Sequence, residues 1–170
     1  MRILTIFLLL LNSCVSVNQH SNKGVVSNDL PENVKFDFVA EYFDGEPEFT
    51  EVNCFLYNKS RDTVYFLTST CDGIQYALQY DTSKFLIWPT LNCNVSNPMM
   101  EKIPPKRKIN FKSHFRILNK TDHIYLGFKL KKVDKTLDVS KLSLPDVYND
   151  KLFPAIELLG PTRTIKQTVK

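Results

Sequence analysis

The sequence is poor in glycine, with five in 170 residues, and contains neither a GxGxxG nor a GxxxxGK[ST] motif. Such motifs let backbone amides approach phosphate groups, so their absence excludes the common nucleotide-binding loops. There are three histidines, and no HExxH or GxSxG pattern marks a zinc or serine hydrolase site. We therefore predict that the protein is not an enzyme and has no catalytic residues, no cofactor and no metal.

Charge of one sign is not in large excess: 22 Lys and Arg face 18 Asp and Glu, giving a net charge of +4. Five of the basic residues are arginines, the residue best suited to bidentate contacts with phosphates and bases. This composition predicts no nucleic-acid partner. With 43% hydrophobic residues, the chain is apolar enough for one folded domain with appendages.

The N-terminus has the features of an export signal. Arg2 precedes an apolar run from Ile3 to Leu11 that only Thr5 interrupts. As a helix this run is about 14 Å long at ~1.5 Å per residue, too short for a hydrocarbon core of about 30 Å. We predict a signal peptide over residues 1–13.

The segment Leu11-Asn12-Ser13-Cys14 resembles the lipobox of bacterial lipoproteins, in which the signal is cut before Cys and diacylglycerol is attached to its thiol. Asn12 departs from the small or β-branched residue usual at that position. The resemblance implies that Cys14 carries acyl chains and that the membrane is a partner. The alternative is an ordinary secretory signal cut after Ser16. Residues 14–31 are polar and predict a flexible tether of about 23 Å.

Apolar and aromatic residues recur at every second position over most of the remaining chain, which is typical of half-buried strands. Polar turn residues separate these runs. The pattern predicts an all-β fold, an antiparallel immunoglobulin-like β-sandwich of about seven or eight strands over residues 32–161, followed by a tail at 162–170. The runs cover residues 36–42, 52–56, 64–67, 74–80, 85–88, 109–117, 124–130 and, as a strand or alternatively a short helix, 152–159.

This layout is similar to that of small Bacteroidetes lipoproteins with a single immunoglobulin-like domain. The carriers are Leu11 to Cys14, the stretch from Cys54 to Phe66 in which a strand ends in Asn before a polar turn, and Ile103-Pro104-Pro105-Lys106. No family activity transfers with this resemblance. From the anchor and the rigid strand scaffold we predict a non-catalytic, monomeric binding or assembly module of the bacterial cell envelope, extracytoplasmic and with an envelope protein as its partner. Surface-exposed lipoproteins of this kind often carry acidic residues just after the anchoring Cys, and residues 15–23 contain none. The resemblance therefore favours the periplasmic side over the cell surface.

The sequence has four cysteines. With Cys14 lipidated, an export environment favours one bond among the other three. We predict a disulfide between Cys71 and Cys93, which lie where strands meet turns, and closing this loop contributes about 3 kcal/mol. The alternative is a bond between Cys54 and Cys71. Otherwise Cys54 shares its parity with Val52 and Leu56 and is expected to be buried.

Charges are segregated along the chain. Residues 36–58 carry acids and no Lys or Arg, whereas residues 102–116 carry bases and no acid. One interpretation is that both are solvated faces that lie opposite each other. The other is a docking surface for a charged partner, with Lys102, Lys106, Arg107 and Lys108 as the candidate binding residues.

Three further features bear on function. Trp88 is the only tryptophan; it is expected to fill the core, the alternative being a platform for a sugar ring. An exposed loop at residues 97–106 suggests, as a second function, an inhibitor of an extracellular hydrolase. A third alternative is a secreted eukaryotic glycoprotein, because Asn58, Asn94 and Asn119 each begin an N-glycosylation motif.

Overall fold

The computed structural model of the protein describes residues 33–43, 46–71, 73–88 and 95–166. The described residues form ten strands, a 3₁₀ helix at Gln75–Ala77, another at Val139–Lys141 and a short α-helix, α1, at Leu144–Tyr148. The strands are β1 Val34–Phe43, β2 Glu46–Asn58, β3 Val64–Ser69, β4 Leu78–Tyr80, β5 Phe85–Trp88, β6 Pro98–Ile103, β7 Lys108–Ile117, β8 His123–Leu130, β9 Lys132–Val133 and β10 Ile156–Thr164.

The strands form two layers. One layer is a four-stranded sheet in the order β1-β2-β7-β5, and the other combines the sheets β10-β8-β4 and β6-β3-β9. Leu67 of β3 donates a backbone hydrogen bond to Lys131 at 2.9 Å, which joins these two smaller sheets. All ladders between these strands are antiparallel. The predicted antiparallel immunoglobulin-like β-sandwich is confirmed, with ten strands instead of seven or eight.

The core lies between the layers and is built from the inward residues of the alternating pattern. Phe38, Phe115 and Phe128 are fully excluded from solvent. Phe36 of the four-stranded sheet stacks on Phe128 of β8, with ring centroids 5.8 Å apart. Full burial of one such side chain contributes about 1.5–3 kcal/mol. Cys54 also lies in this core with a free thiol, as its parity predicted, and burial raises its pKa to about 12.

Two local assignments from the sequence were wrong. The run at 74–80 is a strand only from Leu78, because Gln75–Ala77 forms a 3₁₀ helix whose Gln75 side chain is buried. The stretch 97–106, expected to be an exposed loop, contains β6, which pairs with β3 from Pro98 to Ile103. Its two prolines at 104 and 105 follow the strand, where no ladder hydrogen bond is needed from them.

The C-terminal boundary was also misplaced. The predicted end of the domain at 161 falls inside β10, which continues to Thr164, and Ile165 is buried beyond it. The register of β10 against β8 shifts between Leu159 and Thr162. After this shift the chain reaches β1, where Lys166 accepts a hydrogen bond from Tyr42 at 2.9 Å and donates one to Ala40 at 3.0 Å.

Candidate functional site: an aromatic cleft on the outer sheet face

Aromatic side chains project outward at one end of the four-stranded sheet. Phe85 takes the inward parity of β5 and is buried, so Trp88 of the same strand points to solvent and is 48% exposed. Phe43, at the end of β1, is 43% exposed. The expectation that Trp88 fills the core was therefore wrong, because its parity opposes that of Phe85.

Register brings these residues together. Trp88 of β5 pairs with His114 of β7, and His114 pairs with Glu51 of β2. The rings of Phe49 and Trp88 meet edge to face with centroids 5.5 Å apart, and those of Phe43 and His114 do so at 5.7 Å. Between them lies an open groove of about 300 Å³, the aromatic cleft, lined by Phe43, Glu46, Phe49, Trp88 and His114.

The floor beside the cleft is held by polar contacts of Glu51 across the β2–β7 ladder. Glu51 accepts a hydrogen bond from Lys112 at 2.7 Å, and its other oxygen lies 3.2 Å from Nε2 of His114. The hydrogen bond from Lys112 is the largest influence on Glu51 and holds the pKa of its carboxyl below the ordinary value, against partial burial, which raises it. His114 is thereby held in one orientation and forms a fixed wall of the cleft.

This geometry also accounts for the segregated charges. The acidic stretch forms β1 and β2, the basic stretch includes β7, and the two are neighbours in one sheet. A second cross-strand pair, Arg116 with Glu48 at 3.9 Å, accompanies the pair at Glu51. Much of the charge on this face therefore has an opposite charge beside it, and the acids and bases lie within one sheet.

The four candidate binding cations lie at the opposite end of the sandwich from the aromatic cleft. Lys102 is the penultimate residue of β6. Lys106 and Arg107 lie in the β6–β7 turn, and Lys108 is the first residue of β7. Lys108 lies over the ring of Phe55 with its nitrogen 4.9 Å from the centroid. Lys106 donates to the backbone carbonyl of Lys59 in the β2–β3 turn. All four cations are exposed.

Two of the four cysteines, Cys54 and Cys71, lie among the described residues. Cys14 and Cys93 lie outside the described residues, so lipidation and the Cys71–Cys93 bond stay predictions. The alternative Cys54–Cys71 bond is wrong, because Cys54 is buried and free. Sγ of Cys71 lies 3.2 Å from the carbonyl oxygen of Val95. The chain two residues after Cys93 is therefore beside Cys71.

One of the three N-glycosylation motifs is inaccessible. Asn58 is fully buried, and its amide nitrogen donates to the backbone carbonyls of Asp62 at 2.7 Å and Ile103 at 2.9 Å. Its side-chain oxygen accepts from the backbone and hydroxyl of Ser60. The alternative of a secreted glycoprotein with a surface sugar at Asn58 is therefore wrong for this residue. Asn119 is exposed, and Asn94 lies outside the described residues.

The described residues contain neither a candidate metal cluster nor a candidate membrane-spanning helix. No group of three or more His, Cys, Asp or Glu side chains there is placed to hold a metal ion. In the same part of the chain, no helix has the length and apolar character needed to cross a membrane.

Comparison with known proteins identifies no family. No protein-family model matches the sequence, and no curated protein matches it. Among solved structures, the chain is similar to the cupredoxin domain of amoB from Nitrosocaldus yellowstonii, with 10% identity and a TM-score of 0.29. The match covers 74% of this chain and spans 59% of that one. A likeness this weak carries no functional argument.

The aromatic cleft was not found as a unit from the sequence. A signal was nevertheless present, because Phe49 has the parity opposite to Val52 and Trp88 the parity opposite to Phe85. Aromatic residues on the outward parity of neighbouring strands mark an exposed apolar surface. The pairing of β2, β7 and β5, which makes those strands neighbours, was the missing information.

Proposed function

We propose that the protein is a non-catalytic binding module of the bacterial cell envelope, held on the extracytoplasmic side of a membrane by acyl chains on Cys14. The observation that carries the binding role is the aromatic cleft. Three exposed or half-exposed rings beside fixed ion pairs form a surface of the kind that binding proteins use on a rigid scaffold. The anchor rests on the Leu11-Asn12-Ser13-Cys14 motif, and the periplasmic side remains the favoured location.

The exposed surface of the rings makes the cleft suitable for binding a partner. Trp88 and Phe43 each keep close to half of their surface in solvent, which is apolar area available to a partner. Glu46, on the cleft rim, forms no ion pair with any residue that the structure describes. A partner that covers the rings and offers a donor to Glu46 would satisfy both.

The experiment replaces Trp88 with a photo-crosslinking phenylalanine analogue in cells and irradiates the intact envelope. The matched control places the same analogue at Tyr125, which is 42% exposed on β8 of the other layer. The proposal expects a discrete adduct from position 88 and none from position 125. Adducts of equal yield from both positions, or none from either, contradict a binding role for the cleft.

The anchor has its own test. Intact mass spectrometry of the native protein is expected to show acylated Cys14 as the first residue, and palmitate labelling is expected to disappear in Cys14→Ala. An unmodified chain recovered in the soluble fraction contradicts the anchor.

The two alternatives have less support. A hydrolase inhibitor was based on an exposed loop at 97–106, and most of that stretch is β6, paired along its length with β3. A eukaryotic glycoprotein was based on three motifs, of which the one at Asn58 is buried.

A further inference from the structure

We infer that the end of the sandwich opposite the aromatic cleft is a docking surface for the anionic headgroups of a phospholipid bilayer. This surface, the basic end, consists of the start of β1, the β2–β3 turn and the β6–β7 turn with the first residue of β7. Its cations are Lys35, Lys59, Arg61, Lys106, Arg107 and Lys108. The inference rests on the proposed lipid anchor, which supplies a membrane next to the domain.

Strand register places the cations side by side. Lys35 of β1 pairs with Tyr57 of β2, and Tyr57 pairs with Lys108 of β7. Neighbouring strands are about 4.8 Å apart, so the two lysine backbones flank one tyrosine within about 10 Å. Tyr57 is 38% exposed. A tyrosine between two lysines suits the headgroup region, where an amphipathic ring and cations are both stabilised.

The net charge of this surface is strongly positive. The turn segments 59–63 and 104–108 contain five cations and a single acid, Asp62. The nearest acid on β1, Asp37, is bonded to Arg163 at 2.7 Å. The basic end therefore keeps most of its positive potential, in contrast to the sheet face near the cleft, where cations and acids pair across the ladder.

The cations are presented on a fixed backbone. Asn58, fully buried beneath them, donates to the carbonyls of Asp62 and Ile103 and so bonds both turns to the end of β2. Lys106 has a φ of 55°, a left-handed conformation that is uncommon for a non-glycine residue. A surface built this way loses little conformational freedom when it meets a charged plane.

The place where the chain from Cys14 enters the domain favours a lipid surface as the partner of the basic end. Asn33 is the first described residue, and its carbonyl oxygen accepts a hydrogen bond from the backbone of Lys59 at 2.6 Å. The chain that leads back to Cys14 therefore joins the domain within the basic end. Acyl chains and a basic patch are two membrane signals that reinforce each other. A lipid surface explains the charge and the entry point together, whereas an acidic protein explains the charge alone.

Docking in this way orients the aromatic cleft. Phe43 lies eight residue steps along β1 from Lys35, which is about 26 Å at ~3.3 Å per residue. The cleft therefore lies at the end of the sandwich far from the bilayer, beyond a Debye length of about 8 Å from the lipid charge.

The test uses the mature-length chain, residues 14–170 with Cys14→Ser, so that no acyl chain contributes. Sedimentation measures its binding to vesicles of phosphatidylcholine with 30% phosphatidylglycerol and to vesicles of phosphatidylcholine alone. Each surface cation strengthens binding to an anionic bilayer by about fivefold. The variant K106E/R107E/K108E is therefore expected to bind about 100-fold or more weakly. Raising the salt to 0.5 M is expected to release the unsubstituted chain.

The matched control reverses three cations at the cleft end, in K84E/K120E/K166E, with the same change in net charge. It is expected to keep at least a third of the binding. A second basic-end variant, K35E/R61E, changes side chains that make no hydrogen bond or ion pair with described residues. It is expected to lose at least tenfold while it melts like the unsubstituted chain, so misfolding of the triple variant cannot hide the result.

Several outcomes overturn the inference. These are equal binding to both kinds of vesicle, equal loss in the basic-end and control variants, and a basic end that crosslinks to an acidic protein while vesicle binding is absent. The anchor fails separately, through an unmodified Cys14 in native protein. Acylated Cys14 without preference for phosphatidylglycerol refutes the docking surface alone.

Discussion

The side-chain nitrogen of Asn58 donates a hydrogen bond to the carbonyl oxygen of Ile103 at 2.9 Å, across 45 residues of sequence. The same nitrogen donates to Asp62, and the side-chain oxygen accepts from Ser60. The backbone nitrogen of Asn58 donates to Arg107 at 2.9 Å. One buried residue thus fixes two turns that are distant in sequence.

Replacing Asn58 is expected to destabilise the fold. Asn58→Ala removes the donor to the buried carbonyl of Ile103 and to the carbonyl of Asp62. A buried acceptor without a partner costs about 1–3 kcal/mol, and we expect a total loss of about 3 kcal/mol. Asn58→Asp keeps the acceptor for Ser60 and removes the donors, so we expect a similar loss. Chemical denaturation measures both. Asn110→Ala, on the exposed side of β7, is the control and is expected to change the free energy of unfolding by less than about 0.5 kcal/mol.

Trp88 is expected to matter for binding and little for stability. Because half of its surface is exposed, Trp88→Ala should cost no more than about 1.5 kcal/mol, chiefly the edge contact with Phe49. Phe115→Ala, in the closed core, should cost about 3–5 kcal/mol. Thermal unfolding compares the two. A loss at Trp88 as large as that at Phe115 would assign the tryptophan to the core and remove the basis for the cleft.

The ion pair between Glu51 and Lys112 is expected to make stability depend on acid. The pKa of Glu51 in the folded protein lies below its ordinary value of 4.5, mainly because Lys112 donates to it. A lowered folded pKa means that the contribution is complete above about pH 4.5 and is lost as the pH falls through the folded pKa. Glu51→Gln should remove this contribution.

The measurement is the free energy of unfolding at low salt between pH 6 and pH 3. The unsubstituted protein should lose more stability over this range than Glu51→Gln, and at pH 6 the variant should be less stable by under about 1 kcal/mol. Glu157→Gln, an exposed change on β10, is a control for the general effect of acid. Identical pH profiles for the protein and Glu51→Gln contradict this role for the pair.

Cys71 and Cys93 are expected to form a disulfide. Thr70 donates a backbone hydrogen bond to Asn97 at 2.9 Å, and Ser96 donates to Thr70 at 2.7 Å, so the segment after Cys93 is held beside Cys71. Peptide mapping without reductant should recover the linked pair, and reduction should cost about 3 kcal/mol. Cys54 should resist alkylation until the protein unfolds, because burial raises its pKa to about 12. Ready alkylation of Cys71 and Cys93 in native protein excludes the bond.

Most of the strands could be predicted from the alternation of apolar and polar side chains along the sequence. In β7, Phe111 and Phe115 share the inward parity, and the pattern identified this strand from the sequence. β6 was not predicted as a strand, because its apolar residues Met99 and Met100 are adjacent and do not alternate with polar ones, and prolines flank them. The 3₁₀ helix at Gln75–Ala77 was not predicted, because apolar Ile74 and Tyr76 on either side of Gln75 give the alternation typical of a strand. The helix instead buries the side-chain amide of Gln75.

The candidate site was harder to predict than the fold. Each of its rings belongs to a different strand, and only the ladders β2–β7 and β7–β5 make Phe49, His114 and Trp88 neighbours. These ladders pair residues far apart in sequence, and no local pattern specifies which strands meet. The cations were visible in the sequence as a cluster, yet their position at the chain entry depends on the same long-range pairing.

The contact of Lys166 with β1 has a consequence for self-association. β1 is the outer strand of its sheet, and a free outer strand can recruit a strand from another copy and start a fibril. The backbone of Lys166 forms hydrogen bonds with the amide of Tyr42 and the carbonyl of Ala40. Part of the free edge of β1 is therefore already paired within the molecule. Removal of the last few residues of β10 and of Lys166 would leave this edge of β1 unpaired, and the exposed edge would then be a template for polymerisation.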